Sequence, residues 1–186
     1  MLSIFKQIIG SLSFFLLAMA LLLPKANASM DIDLPAEQGL ENELVAYFYA
    51  AARTGDIEVL EEFLKAGVPI DLKDHNGYTA LMIASYNGRL NAANTLIKYG
   101  ANACEQDSKG NTALMAAIFK GELKIAHLLL KTNCDANQQN KAGQTALMYS
   151  TLFGRTELTK LLISRGADIA LKDNSGNSAQ SIQSTL

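Results

Sequence analysis

Two histidines, two cysteines and a recurrent aspartate are the side chains of this 186-residue sequence best suited to metal, nucleophilic or proton-transfer chemistry. His75 stands in a polar stretch, Asp74-His75-Asn76-Gly77, and His127 in a run of helical pattern far along the chain. Neither belongs to a Cys/His or His/carboxylate spacing that would bring three ligands onto one ion. Asp74, Asp107 and Asp173 recur at one place in a repeating pattern, which points to turn geometry, because Asp can accept from the backbone two residues on. Paired catalytic carboxylates would instead depart from the repeat. The glycines form no G-x-G-x-x-G and precede no phosphate-loop lysine. The expectation is therefore no catalytic residue, no metal site and no cofactor, with His75 on a surface loop and His127 on an exposed outer face.

The elements that would position these residues follow from one period. Gly77, Gly110, Gly143 and Gly176 form one ladder at a constant spacing of 33, and Gly55, Gly88, Gly121 and Gly154 form a second. Thr-Ala-Leu-Met begins at Thr79, Thr112 and Thr145, and the second half of each unit repeats as VLEEFLKAGVPID, AANTLIKYGANAC, IAHLLLKTNCDAN and LTKLLISRGADIA. This pattern resembles the ankyrin repeat, with its G-x-T-P-L-H, its glycine between two helices and its L-L-x-x-G-A-D ending. Ala80, Ala113 and Ala146 replace the usual proline, and Met82, Met115 and Met148 the usual histidine. The resemblance implies an all-α solenoid of stacked helix-turn-helix units with projecting hairpins over residues 41–186. An opening cap spans 41–73, full units span 74–106, 107–139 and 140–172, and a terminal half unit spans 173–186.

Physical chemistry explains why these residues recur. Thr79, Thr112, Thr145 and Ser178 stand where a side-chain oxygen can accept an orphaned N–H of a first helix. Gly88, Gly121 and Gly154 end that helix, and Gly67, Gly100 and Gly166 end the second, since glycine takes positive φ at little cost. Asn133 occupies the matching place in the 107–139 unit and is expected to take positive φ as the best non-glycine substitute. The second helices are expected over 90–98, 123–131 and 157–164, with Leu96, Leu129 and Leu162 facing the stack. In the opening cap Phe48 and Tyr49 should fill the leucine and methionine sites of Leu81 and Met82. One unit cannot bury both helix faces alone, so each must stack on the next.

Cys104 and Cys134 lie in adjacent units, at the positions of Asp71 and Asn137 and of Ala101 and Ala167 respectively. Stacked units are about 10 Å apart, and an offset of three residues is expected to add to that distance. A disulfide needs Cα atoms within about 7 Å. The pair therefore reads as a small buried Cys134 and a half-exposed Cys104 rather than as a bridge.

Residues 1–28 differ in composition from everything after them. Lys6 supplies a positive start, an apolar run extends from Ile8 to Leu23, and Ala26-Asn27-Ala28 has the small-x-small form read by a signal peptidase. The run is shorter than the roughly 20 residues a spanning helix needs. A cleaved signal peptide is expected, followed by a lead-in over 29–40 containing Pro35 and Gly39, with no membrane attachment after cleavage. No cysteine at the cleavage site invites acylation. Removal of the leader takes away Lys6 and Lys25 and no acid, leaving 14 basic and 18 acidic residues. A mildly acidic chain gives no support to nucleic-acid binding.

The family resemblance places binding on a concave side made of hairpin tips and the exposed edge of each first helix. Tyr86, Phe119 and Leu152 occupy one ladder there, and Lys120 and Phe153 the next. The hairpins offer His75, Tyr78, Lys109, Asn111, Lys141 and Gln144. Exposed aromatic strips anchor partners, and the competing reading is half-buried packing between units. The chain is also similar in size, leader and repeat count to small exported bacterial ankyrin proteins that accompany a periplasmic catalase. The expectation is a monomeric, non-catalytic protein-binding module, periplasmic or secreted, with a periplasmic catalase as the partner the resemblance offers. A secreted host-directed effector and a structural, self-associating protein are the alternatives.

Overall fold

The computed structural model describes residues 35–185, so the signal peptide expected over 1–28 and the first part of the expected lead-in lie outside the described residues. Nine helices occupy the described residues: α1 (Pro35–Thr54), α2 (Ile57–Lys65), α3 (Ala80–Tyr86), α4 (Leu90–Lys98), α5 (Ala113–Lys120), α6 (Leu123–Leu129), α7 (Ala146–Leu152), α8 (Thr156–Ser164) and α9 (Ala179–Thr185). The odd-numbered helices pack in sequence on one another as an inner layer, and α2, α4, α6 and α8 form the outer layer. α1 starts at Pro35, within the stretch expected as lead-in, and so is longer than the other first helices.

In the three full units the first helix begins on a threonine that caps it. Thr79, Thr112 and Thr145 accept from the N–H of Met82, Met115 and Met148 at 3.3, 3.3 and 3.2 Å. Ser178 accepts from Ser181 N–H at 3.2 Å. Helices of this length are marginal in water by themselves, so they persist because packing buries them. Leu81, Leu147, Leu96, Leu129 and Leu162 are all buried, with alanines between them that let neighbouring helices approach. Leu114, at the same repeat position as Leu81, is only half-buried and packs against this core. Phe48 and Tyr49 are buried in the opening cap as expected. Tyr49 donates to Leu72 carbonyl at 2.9 Å, and burial, reinforced by the Asp74 carboxylate, pushes its hydroxyl up to about 12.

Hairpins join the units on their other side. Asp74, Asp107, Asn140 and Asp173 each accept through Oδ1 from two backbone N–H groups, two and four residues on. Adjacent hairpins are bonded through their backbones: Ser108 N–H to Asn76, Lys141 N–H to Lys109 and Asn174 N–H to Ala142, each at 2.9 Å. This proximity accounts for the hairpin glycines. A Cβ on Gly77 would lie 2.6 Å from Ser108 N, and Gly77 also has φ of +78°, so both space and conformation exclude a side chain there.

Two expectations are corrected by the geometry of the outer turns. Among the described residues no residue other than glycine has positive φ, so Asn133 does not replace glycine in that role. In the other units the chain leaves the second helix with Val68, Ala101 or Ala167 N–H bonded back to Phe63, Leu96 or Leu162 carbonyl. In the 107–139 unit the equivalent carbonyl, on Leu129, is taken instead by Thr132, through its N–H at 3.0 Å and its hydroxyl at 2.6 Å. α6 accordingly ends at Leu129, two residues earlier than expected, and the turn closes without a left-handed residue.

The second correction concerns the thiols: Cys104 and Cys134 form a disulfide, with Cα atoms 5.3 Å apart. The three-residue offset reduces their separation rather than adding to it, because the end of each outer turn meets the start of the next unit's outer turn. The same contact is made without sulfur at the two flanking junctions. Asp71, at the Cys104 position, accepts from Asn102 N–H at 3.0 Å. Asn137, also at that position, accepts from Asp168 N–H at 2.7 Å and donates to Gly166 carbonyl at 3.2 Å. Asn102 and Asp168 each follow the repeat equivalent of Cys134 by one residue. A hydrogen bond at two junctions is thus a covalent bond at the third.

The bridge closes a loop with a sequence separation of 30, for which constraint of the unfolded chain is worth about 3–4 kcal/mol. Urea denaturation of the oxidised protein and of a Cys104→Ala, Cys134→Ala variant is expected to differ by about that amount, with the variant retaining its helical circular dichroism. Equal midpoints would mean that the bond does not form in solution.

Candidate functional site

The inner helices and the hairpins enclose a concave groove of about 1000 Å³ that runs from Arg53 at one end to Tyr149 at the other. Its lining includes Tyr78, Tyr86, Lys109, Asn111, Phe119, Lys141 and Gln144 from the residues expected on this face. Lys120 stands beside it, its ammonium 4.9 Å from the centre of the Tyr86 ring. A cation over a tyrosine face is attracted by the ring quadrupole.

The rings are organised along the stack. Tyr86 and Phe119 are stacked with centroids 6.5 Å apart, and Phe119 meets Phe153 edge to face at 5.5 Å. The strip thus steps from one repeat ladder to the next between Phe119 and Phe153. Packing and exposure coexist: Tyr86 remains 44 % and Phe119 49 % exposed despite these contacts. Leu152, on the ladder of Tyr86 and Phe119, is 52 % exposed. Leu152 and Phe153 lie outside the groove lining, beyond its end. His75 is likewise outside the lining; it is exposed on its hairpin with Nε2 2.9 Å from the Asn76 amide nitrogen. His127 is exposed on α6.

One part of the site was not foreseen, a polar network in its floor. Asn111 donates through Nδ2 to both oxygens of Asp107, at 3.4 and 3.1 Å, and so presents its own Oδ1 to Asn140. Asn140, buried, donates to that oxygen at 2.9 Å and to Gln144 Oε1 at 3.2 Å. Tyr149 hydroxyl donates to the same Gln144 oxygen at 3.1 Å. Burial raises the Tyr149 pKa above its ordinary value, against a smaller lowering from Asn140 and with a further rise from Asp107, so the hydroxyl keeps the proton it donates. The signal for this cluster was present as departures from the repeat. Asn140 stands where the other units have aspartate, and Tyr149 where they have Ile83 and Ala116.

These groups hydrogen-bond one another across two hairpins and an inner helix. Among the described residues no three His, Cys, Asp or Glu side chains are grouped to hold a metal ion. What the fold and groove define is an all-α repeat scaffold with an open groove along its inner helices. A model of three consecutive ankyrin repeats matches residues 47–140, and a single ankyrin repeat model matches residues 142–174. The chain belongs to the ankyrin repeat family. It is also similar to an ankyrin repeat protein of Pseudomonas aeruginosa, 41 % identical over 46 residues, a match that covers 25 % of this chain and 27 % of the relative. The chain thus spans about a quarter of the length of the curated relative it matches.

The direction of the hydrogen bonds in the floor generates a test. Asn140→Asp restores the residue of the other units but removes the donor facing Asn111, whose amide is already held by Asp107. The substitution is expected to lower stability by about 1–3 kcal/mol through opposed buried acceptors, measured by urea denaturation at neutral pH. A neutral or stabilising effect would show that the network does not have this polarity.

Proposed function

We propose that this protein is an exported, non-catalytic binding module of the bacterial cell envelope that holds a partner protein on its concave face. The observation that carries the binding is the aromatic ladder of Tyr86, Phe119 and Phe153, whose first two rings remain about half exposed at the edge of a groove. The scaffold does not require rings at these positions, where the opening cap has Arg53 and Thr54. Burying such rings against a partner removes apolar area from water, and aromatic residues are prominent among the side chains that dominate binding energy.

Export is supported by two independent features. The sequence over 1–28 has the charge, apolar core and Ala26-Asn27-Ala28 ending of a cleavable leader. The Cys104–Cys134 bridge is a bond that persists in oxidising compartments and is rare where thiols are kept reduced. Among the described residues no helix is long and apolar enough to cross a membrane. The resemblance in size, leader and repeat count to exported ankyrin proteins that accompany a periplasmic catalase makes that enzyme the first partner to test.

Export is checked by the intact mass of protein from the periplasmic fraction of a Gram-negative host, with Ser29 expected as the first residue. A full-length species held in the membrane would overturn the leader assignment. Binding is checked by titrating a purified periplasmic catalase with the wild-type protein and with a Tyr86→Ala, Phe119→Ala variant of matched circular dichroism. A loss of at least about 2 kcal/mol in the variant is the expected result for anchoring residues. Equal affinities would place the binding surface elsewhere, no affinity at all would remove the catalase as partner, and a dimer in sedimentation would favour self-association.

A further inference from the structure

We propose that the groove receives an acidic, apolar segment of the partner: a stretch of chain in which Asp or Glu flanks Phe, Tyr or Leu. The inference rests on the protein-binding reading above and adds the chemistry of what is bound. Its basis is the charge distribution inside the groove compared with that of the whole chain. The protein carries 18 acidic and 16 basic residues, yet the groove gathers cations. Lys109 and Lys141 stand exposed on successive hairpins whose backbones are bonded at 2.9 Å, so the two side chains leave the same rim one unit apart. Arg53 lines the near end, and Lys120 lies over Tyr86. None of these four cations has an ion-pair partner among the described residues.

The carboxylates on this side are already engaged. Asp107 accepts from the N–H groups of Lys109 and Asn111 and from the Asn111 amide. Asp74 accepts from the N–H groups of Asn76 and Tyr78. Both are committed to hairpin geometry; Asp107 keeps its charge in the groove lining, but Arg53, Lys109 and Lys141 line it too, so the excess there is cationic. The third hairpin, which carries Lys141, has neutral Asn140 in place of the carboxylate, which returns one unit further on as Asp173. A segment with acidic groups at the rim and an apolar side chain against Tyr86 and Phe119 satisfies both halves of the surface. Its charges would steer approach and set register, and its apolar group would supply the burial.

Cations beside aromatic rings also suit single-stranded nucleic acid, which binds by stacking bases on open ring faces. The rings here are engaged with one another and with Lys120. Tyr86 carries both Phe119 and the ammonium, and Phe119 carries both Tyr86 and Phe153. Polypeptide side chains, which need only the exposed rims of these rings, are the better fit.

A displayed library of random peptides selected on the purified, oxidised protein tests the inference. Enrichment of sequences pairing Asp or Glu with Phe, Tyr or Leu is the expected result. A synthetic peptide from that selection is then measured by fluorescence anisotropy against the wild-type protein and a Lys109→Glu, Lys141→Glu variant. The variant is expected to bind about tenfold or more weakly, with the deficit shrinking as salt is raised, and with an unchanged melting curve because the inter-hairpin bonds are made by backbone. Selected peptides without acidic excess, or equal affinity for the variant, overturn this inference and leave the protein-binding reading in place. Failure of the Tyr86→Ala, Phe119→Ala variant to lose affinity for the same peptide overturns that reading. Tighter binding of a synthetic peptide of residues 29–34, which carries Asp31 and Asp33, would make the occupant the chain's own segment. Tighter binding of a poly-dT strand would make it nucleic acid, and either result overturns the partner assignment.

Discussion

Every unit of this protein depends on the next for the burial of its first helix, because a helix of seven or eight residues has neither the length nor the second apolar face to stand alone. α3, α5 and α7 are short enough that their isolated stability in water is marginal, and the alanines within them matter as much as the leucines. Ala84, Ala113 and Ala117 are buried with almost no exposed surface. Small side chains there let inner helices lie close, which in turn brings the hairpins within backbone hydrogen-bonding distance. From that approach follow the glycine ladder at the hairpin tips and the groove below them.

The outer turns show the same dependence from the other side. Asp71 with Asn102, Cys104 with Cys134, and Asn137 with Asp168 make one geometrical contact at three successive junctions. The disulfide is therefore an elaboration of an existing contact and requires no rearrangement of the units it joins. It lies at the junction in the middle of the stack, where separation of the two units would split the array. A short repeat array cannot spread such a loss over many neighbours.

The groove is built from positions the repeat leaves undetermined. Threonine caps, turn glycines and buried leucines are occupied by the demands of folding, so chemistry specific to this chain must appear on the remaining ladders. There the inner helices carry rings, the hairpins carry lysines, and the floor carries an amide and a phenol in place of the carboxylate and aliphatic groups of other units. Asn140 and Tyr149 are coupled through Gln144, so a single departure from the pattern would not have been satisfied without the others. The exposed strip and the buried network are two consequences of the same freedom.

What was legible in the amino-acid order was whatever is local or strictly periodic. The threonine caps, the positive φ of the turn glycines and the burial of Leu96, Leu129 and Leu162 follow from residue type and a spacing of 33, while the placement of Tyr86 and Phe119 on an exposed edge was what the family resemblance implied. They could be read because each depends on a few neighbouring residues or on one repeated register. The failures are of another kind. The Cys104–Cys134 bond depends on how successive outer turns run past one another, which decides whether an offset of three residues lengthens or shortens a distance; a one-dimensional alignment contains no such direction. Asn133 was misjudged because the competitor for Leu129 carbonyl, Thr132, acts through a side-chain rotamer as well as a backbone turn. The Asn111–Asn140–Gln144–Tyr149 network required knowing which amide faces which, and that is decided only when two hairpins and an inner helix meet. The sequence determined the unit and its repetition, and the tertiary structure decided how successive units meet and therefore which side chains touch.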